Sequence, residues 1–212
     1  MNQHFIQDLE NIIQHQLPGE SAHSLMIPTR LRASAAIEQQ LPFIKSAVAI
    51  LLFEEDNLWK SVLIERPIYE GVHSGQMAFP GGKQEKEDPN LISTALREMT
   101  EEIGFEDTDI HHLGELTNVY IPVSGFMVYP QVFFTNSIPV FTPDPREVKS
   151  VITFPIQELL DPSILLKTSI DLKNGTTLKD MSYFNIENRI VWGATCLMLN
   201  ELKTCIQLLD LK

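Results

Sequence analysis

Near the start of the chain, Phe5, Leu9, Ile12 and Ile13 recur at helical spacing and predict an amphipathic helix over residues 4–16. Residues 17–45 contain Pro18-Gly19, Pro28 and Pro42 and read as an irregular segment. Two apolar runs follow, 46–53 and 58–65, predicted as strands with Asp56-Asn57 supplying turn chemistry between them. Residues 66–88 read as a glycine-bearing loop. A helix is predicted over 89–103, with Asp88 as its N-cap, Pro89 at the first helical position and Gly104 at its stop. Ile92, Ala95, Leu96, Met99 and Ile103 form one apolar stripe along it. Further strands are predicted near 112–120, 127–135 and 147–153, then a short helix over 155–160. A closing helix over 189–206 would carry Ile190, Ala194, Leu197 and Leu202. Interspersed strands and helices predict a layered α/β or α+β fold. The expected organisation is an N-terminal helix and irregular segment, 1–45, packed on a domain formed by 46–212.

Composition narrows the setting. With 212 residues, 43% of them hydrophobic, the chain can bury a core without disulfide or metal staples. Cys196 and Cys205 lie nine positions apart in the predicted closing helix, too far to bridge within it. A reduced, cytoplasmic setting is expected. No run of eighteen apolar residues predicts a membrane span, and residues 1–10 lack the pattern of a signal peptide. Exposed apolar residues in 120–135 would offer a homodimer interface. A net charge of −12 argues against a nucleic-acid partner, whose phosphates are usually met by Lys and Arg. An acidic protein can still handle a phosphate substrate if metal cations mediate. Charge is also unevenly spread: between Arg97 and Arg146 there is no Lys or Arg, but there are eight acidic residues.

The strongest chemical signal is Arg97-Glu98-Met99-Thr100-Glu101-Glu102-Ile103-Gly104-Phe105. Glu98, Glu101 and Glu102 fall within about 100° of helix surface, away from the apolar stripe. Like charges at these spacings repel, and the helix C-terminus disfavours anions. No lysine lies three or four positions away from any of them. Such a face is either a solvated acidic surface or a site for a hard divalent cation. The preceding Phe79-Pro80-Gly81-Gly82-Lys83 favours the second, because adjacent glycines let the backbone approach a ligand closely.

Gly82 through Phe105 resembles the Nudix box: a glycine, a downstream acid, then Arg-Glu-apolar-any-Glu-Glu-any-Gly-apolar. Asp88 stands where the usual pattern has Glu, and the spacer to Arg97 is one residue longer than in the common box. The longer box resembles the subgroup acting on coenzyme A and its derivatives. Leu63-Ile64-Glu65-Arg66 and His73-Ser74-Gly75-Gln76-Met77-Ala78-Phe79-Pro80-Gly81-Gly82 look like the coenzyme A pyrophosphatase signature. Weaker likeness extends through Pro145-Arg146-Glu147-Val148 and Val191-Trp192-Gly193-Ala194-Thr195.

The resemblance implies a Nudix α/β/α sandwich with a mixed sheet. It implies a diphosphatase that uses Mg²⁺ or Mn²⁺, with water attacking phosphorus. Glu98 and Glu102 would be the principal metal ligands, with Glu101 a further ligand or the base, and Arg97 would hold the cluster by ion pairing. Gly81 and Gly82 would shape the loop beneath the diphosphate. Arg66 and Lys83 are candidates for substrate phosphates, with Arg30 and Arg32 behind them. His73 and Gln76 belong to the signature, and Glu147 is a candidate for a distant carboxylate. Coenzyme A would yield 3′,5′-ADP and 4′-phosphopantetheine. The rival readings are a Nudix hydrolase for ADP-ribose, NADH or a nucleoside triphosphate, and a catalytically silent nucleotide-binding Nudix domain.

Overall fold

A computed structural model describes residues 3–67, 75–172 and 175–210. Helix α1 (Gln3–His15) buries Leu9, Ile12 and Ile13, as their spacing requires. The segment expected to be irregular contains two short helices, α2 (Glu20–Met26) and α3 (Ala33–Glu38). Each spans two turns or fewer, too little for a periodic pattern to stand out. Packing fixes them instead: Met26 enters the main core, and Ala33 and Ala36 pack with Tyr120 and Met127.

Strands β1 (Ile44–Glu55) and β2 (Leu58–Glu65) form the expected hairpin. Asp56 and Asn57 both take positive φ, 56° and 61°, as a two-residue primed turn requires. Then follow β3 (Met77–Ala78), β4 (Gly81–Lys83), helix α4 (Leu91–Ile103), β5 (His111–Glu115), β6 (Val119–Ile121), β7 (Phe126–Thr135) and β8 (Ser150–Pro155). Two 3₁₀ turns, Ile156–Leu160 and Pro162–Ile164, lead to β9 (Leu165–Asp171), β10 (Thr177–Ile186), β11 (Arg189–Val191) and helix α5 (Gly193–Asp210).

The first eight strands form one mixed sheet, ordered β3-β2-β1-β7-β5, with β4 beside β1, β6 beside β7 and β8 beside β2. β1 and β7 run parallel, and the other pairs are antiparallel. Helices cover both faces. Ala95, Met99 and Ile103 of α4 pack on Ala47, Ala49, Leu51 and Phe53. On the other face, residues of α1 and α5 pack with Ile50, Leu52, Leu63 and Val132. This double coverage explains why β1 reads as an unbroken apolar run. The result is the expected α/β/α sandwich. A second sheet, β11-β10-β9, places Phe184, Ile186 and Val191 in the same core as α5.

Several local expectations are corrected. The N-cap of α4 is Asn90, not Asp88: its side chain accepts from Ser93 N at 2.9 Å. Asp88 instead turns to Arg97, whose guanidinium offers it two hydrogen bonds. The expected strand over 112–120 is split into β5 and β6. The expected closing helix over 189–206 starts as β11, which pairs with β10 across a turn with Glu187 and Asn188 at positive φ. Helix α5 begins only at Gly193 and runs to Asp210. Within 120–135, Tyr120, Met127, Val128, Val132 and Phe133 are buried in the sheet. Of the large hydrophobics there, Val123 is strongly exposed and Ile121, Phe126, Tyr129 and Phe134 are partly exposed. Among the described residues no helix is long and apolar enough to cross a membrane. Cys196 and Cys205 are both buried and free.

The N-terminal segment is anchored through Glu201 of α5, which is fully buried. Its carboxylate accepts from Gly19 N, Thr117 N and Thr117 Oγ1 and lies 3.0 Å from His23 Nε2. That anchor fixes the course of the chain from α2 towards Arg30 beside β6.

Candidate functional site

The site forms where β4 passes beneath the acidic face of α4. β4 pairs with β1, so Gly81 lies opposite Val48 and Gly82 opposite Ala47. A Cβ on Gly81 would run into the Ala47 carbonyl and the Val48 backbone, and one on Gly82 into the Glu98 carboxylate. Both glycines are therefore demanded by close approach, on two different sides of β4.

The three glutamates of α4 meet different surroundings. Glu102 is 2% exposed, and Gly81 N donates to its carboxylate at 2.8 Å. Arg66 Nη2 lies 3.7 Å from the same carboxylate and donates to Gly81 O at 3.1 Å. Burial outweighs these partners and pushes the Glu102 carboxyl up to about 7, with Glu98 and Glu147 adding repulsion. Burial also raises Glu98, against the pull of Arg97. Glu101 is different: its side chain is half-exposed and turned to Arg97 at 2.8 Å.

Arg97 organises the rear of the cluster. Its guanidinium reaches Glu98 at 3.0 Å, Glu101 at 2.8 Å, both oxygens of Asp88 at 3.0 Å and Lys83 O at 3.0 Å. These bonds hold the Asp88 carboxyl well below the usual range, at about 2. Glu85 N and Thr94 Oγ1 also donate to Asp88. Asp88 thus braces Arg97 against the β4–α4 connection.

In front of the glutamates lies a cleft of about 650 Å³. Arg66, Gln76, Gly81, Gly82, Lys83, Glu98 and Glu102 all line it, so most candidates from the sequence converge. Arg97 and Glu101 stand outside its lining, and His73 lies outside the described residues. Glu147, a weak candidate in the sequence, is brought in. The chain after α4 is tied to that helix by Thr142 N to Ile103 O and Asp144 N to Glu102 O, at 2.8 and 3.0 Å. Glu147 N then bonds Asp144 O, and its side chain faces the cleft with Glu98 and Glu102. The far wall carried no signal in the sequence: Leu178 and Met181 come from the second sheet, Leu172 from the connection after β9, and Ile121, Val123 and Phe126 from β6, β7 and their turn. Of this wall, only Trp192–Thr195 had a signal, in the weak likeness at 191–195.

Glu98, Glu102 and Glu147 make an all-oxygen donor set of like charges, partly buried, which suits a hard divalent cation. Among the described residues no three such groups already converge on one point. Glu98 is drawn toward Arg97 and Glu102 toward Gly81 N, so these side chains would have to turn to share an ion.

The family model described as the NUDIX domain matches residues 44–172. The chain belongs to the NUDIX domain family. The matched stretch starts with β1 and includes the Nudix box, α4 and Glu147. The chain is 34% identical over 130 residues to the uncharacterized Nudix hydrolase NudL of Yersinia pestis (strain Pestoides F). The same identity holds for NudL of Yersinia pseudotuberculosis serotype O:3 (strain YPIII). Each match covers 61% of this chain and 64% of the relative, so the likeness spans less than two thirds of those proteins. A MutT/nudix family protein from Enterococcus faecalis superimposes with a TM-score of 0.52 at 17% identity, covering 90% of this chain and 74% of that one. That similarity establishes the shared fold.

Proposed function

We propose that this Nudix domain is a metal-dependent hydrolase that cleaves the diphosphate bond of coenzyme A or a derivative. The products would be 3′,5′-ADP and 4′-phosphopantetheine or its acyl form. The observation that carries the reading is the placement of Glu98 and Glu102 against the Gly81-Gly82 strand, at one end of a long and largely apolar cleft. The box and its upstream signature support coenzyme A, and the apolar wall suits a pantetheine arm.

In this proposal Glu98 and Glu102 hold Mg²⁺ or Mn²⁺. When bound, the ion supplies positive charge against the diphosphate and acidity for the attacking water. Glu147 lines the same cleft and would orient water or take its proton. Glu101, half-exposed and paired with Arg97, is better suited to hold that arginine than to touch substrate. Arg97 sets the position of Glu98, and Gly82 leaves room for its carboxylate. Arg66 offsets the Glu102 charge and, with Lys83, gives the acidic end cations that can meet phosphate oxygens.

The test is hydrolysis of a panel of coenzyme A, an acyl-coenzyme A, ADP-ribose, NADH and nucleoside triphosphates, with Mg²⁺ or Mn²⁺. The proposal expects the highest kcat/KM for a coenzyme A compound. Higher kcat/KM for ADP-ribose or NADH would remove the coenzyme A assignment, and no turnover of any compound would remove the hydrolase assignment.

A further inference from the structure

One cation in the cleft is left unused by the diphosphate chemistry. Arg30 follows α2 and is anchored on β6, where its Nε and Nη2 donate to Tyr120 O at 3.2 and 2.9 Å. Both bonds go to one neutral carbonyl. Among the described residues no carboxylate pairs with Arg30. Surrounding protein lowers its pKa to about 10, with desolvation the sole cause, yet it stays fully charged at neutral pH. A guanidinium taken out of water without a counter-charge is unfavourable unless something else supplies the anion. Arg30 keeps part of its surface accessible, and it lines the cleft. The other candidate cations differ. Arg66 is engaged with Glu102 and Gly81 O, Lys83 is exposed at the acidic end, and Arg32 lies outside the cleft lining.

We infer that Arg30 is an anion subsite in this cleft, receiving a phosphate monoester carried by the same nucleotide whose diphosphate lies at Gly81-Gly82. The inference rests on the coenzyme A reading for the identity of the nucleotide, and on the cleft for the site. Strands β4, β1, β7 and β6 lie side by side, so roughly 15 Å of sheet separates the glycines from Tyr120. Arg30 and the two glycines line the same cleft, so one ligand bearing a diphosphate and a separate phosphate can meet both. Three N–H groups of Arg30 remain beyond the two given to Tyr120, and a guanidinium fork matches phosphate oxygens.

The experiment is calorimetric titration of the full chain, with Mg²⁺ present, using 3′,5′-ADP and 5′-AMP as probes. Wild type is expected to bind 3′,5′-ADP about ten- to a hundredfold more tightly, the worth of one charge-assisted hydrogen bond. In Arg30→Gln the two affinities should converge while 5′-AMP binding stays within about twofold. Arg30→Lys, which keeps the charge, should retain part of the preference, and circular dichroism reports whether each variant is folded. Equal binding of the two probes by wild type overturns the site even if Arg30→Gln fails to fold. So does a preference that survives in a folded Arg30→Gln. No hydrolysis is involved, so a chain that binds 3′,5′-ADP through Arg30 yet leaves coenzyme A intact upholds this site and refutes the substrate reading.

Discussion

Alanine at the two adjacent glycines of β4 should produce opposite failures. At Gly81 the new methyl would lie 2.6 Å from Val48 Cα and against the Ala47 carbonyl, both part of the central strand β1. Backbone cannot swing aside, so β4 must lift off β1. Overpacking of this kind costs about 1–3 kcal/mol. The lift also breaks the bond from Gly81 N to the buried Glu102 carboxylate, worth about 1.5–3 kcal/mol. Gly81→Ala should therefore lose roughly 3–5 kcal/mol, a large share of the 5–15 kcal/mol that holds a typical domain. At Gly82 the methyl would meet only the end of the Glu98 side chain, which can rotate. An off-rotamer side chain costs about 0.5–1.5 kcal/mol, so Gly82→Ala should stay folded at nearly wild-type stability. Glu98 would be displaced, and kcat/KM should fall at least about tenfold, equivalent to 1.4 kcal/mol of transition-state stabilisation. Urea denaturation without metal and steady-state hydrolysis with saturating Mg²⁺ measure the two effects. The reasoning is refuted if Gly82→Ala is as unstable as Gly81→Ala, or if it retains full kcat/KM.

Other perturbations test separate parts of the site. Glu98→Gln and Glu102→Gln should each lower kcat about a hundredfold or more while metal-free thermal stability holds or rises, because each removes a repelled anion; near-normal turnover at limiting Mg²⁺ would refute the metal role. Glu147→Gln should reduce kcat with little change in melting temperature, and unchanged kcat across the pH range would exclude it from the reaction. Asp88 has its pKa depressed to about 2 by Arg97, so its contribution to stability is present above about pH 4 and is lost as pH falls through about 2. The stability gap between wild type and Asp88→Asn, followed by denaturation from pH 6 downward, should accordingly close in that window; a gap that widens there contradicts the assigned ion pair. Glu201→Ala strands the donors from Gly19 and Thr117, and should cost about 3–5 kcal/mol in urea unfolding; a loss under 1 kcal/mol would mean that water replaces the carboxylate.

What the sequence determined by itself is local. The hairpin at Asp56-Asn57, the apolar stripe of α4, its stop at Gly104 and the clustering of three glutamates follow from spacing and backbone preference within a few residues. The errors near these elements are also local contests: Asn90 and Asp88 are both good N-caps, and Arg97, nine residues further on, claimed Asp88 for an ion pair. Strands β9 and β10 gave little signal because no residue of β9 is buried and a bulge with Asp180 at positive φ breaks the alternation of β10. Only the tertiary structure decided the electrostatics of the glutamates. Glu101 and Glu102 are neighbours in the chain, yet β4 covers one and leaves the other half-exposed beside Arg97. Burial and charge depend on what packs over a group, and here the partners come from distant stretches: Gly81 and Arg66 at Glu102, and Glu147 from beyond β7. No pattern within the Nudix box specifies those approaches, because the energy that fixes them is the packing of the sheet's two faces.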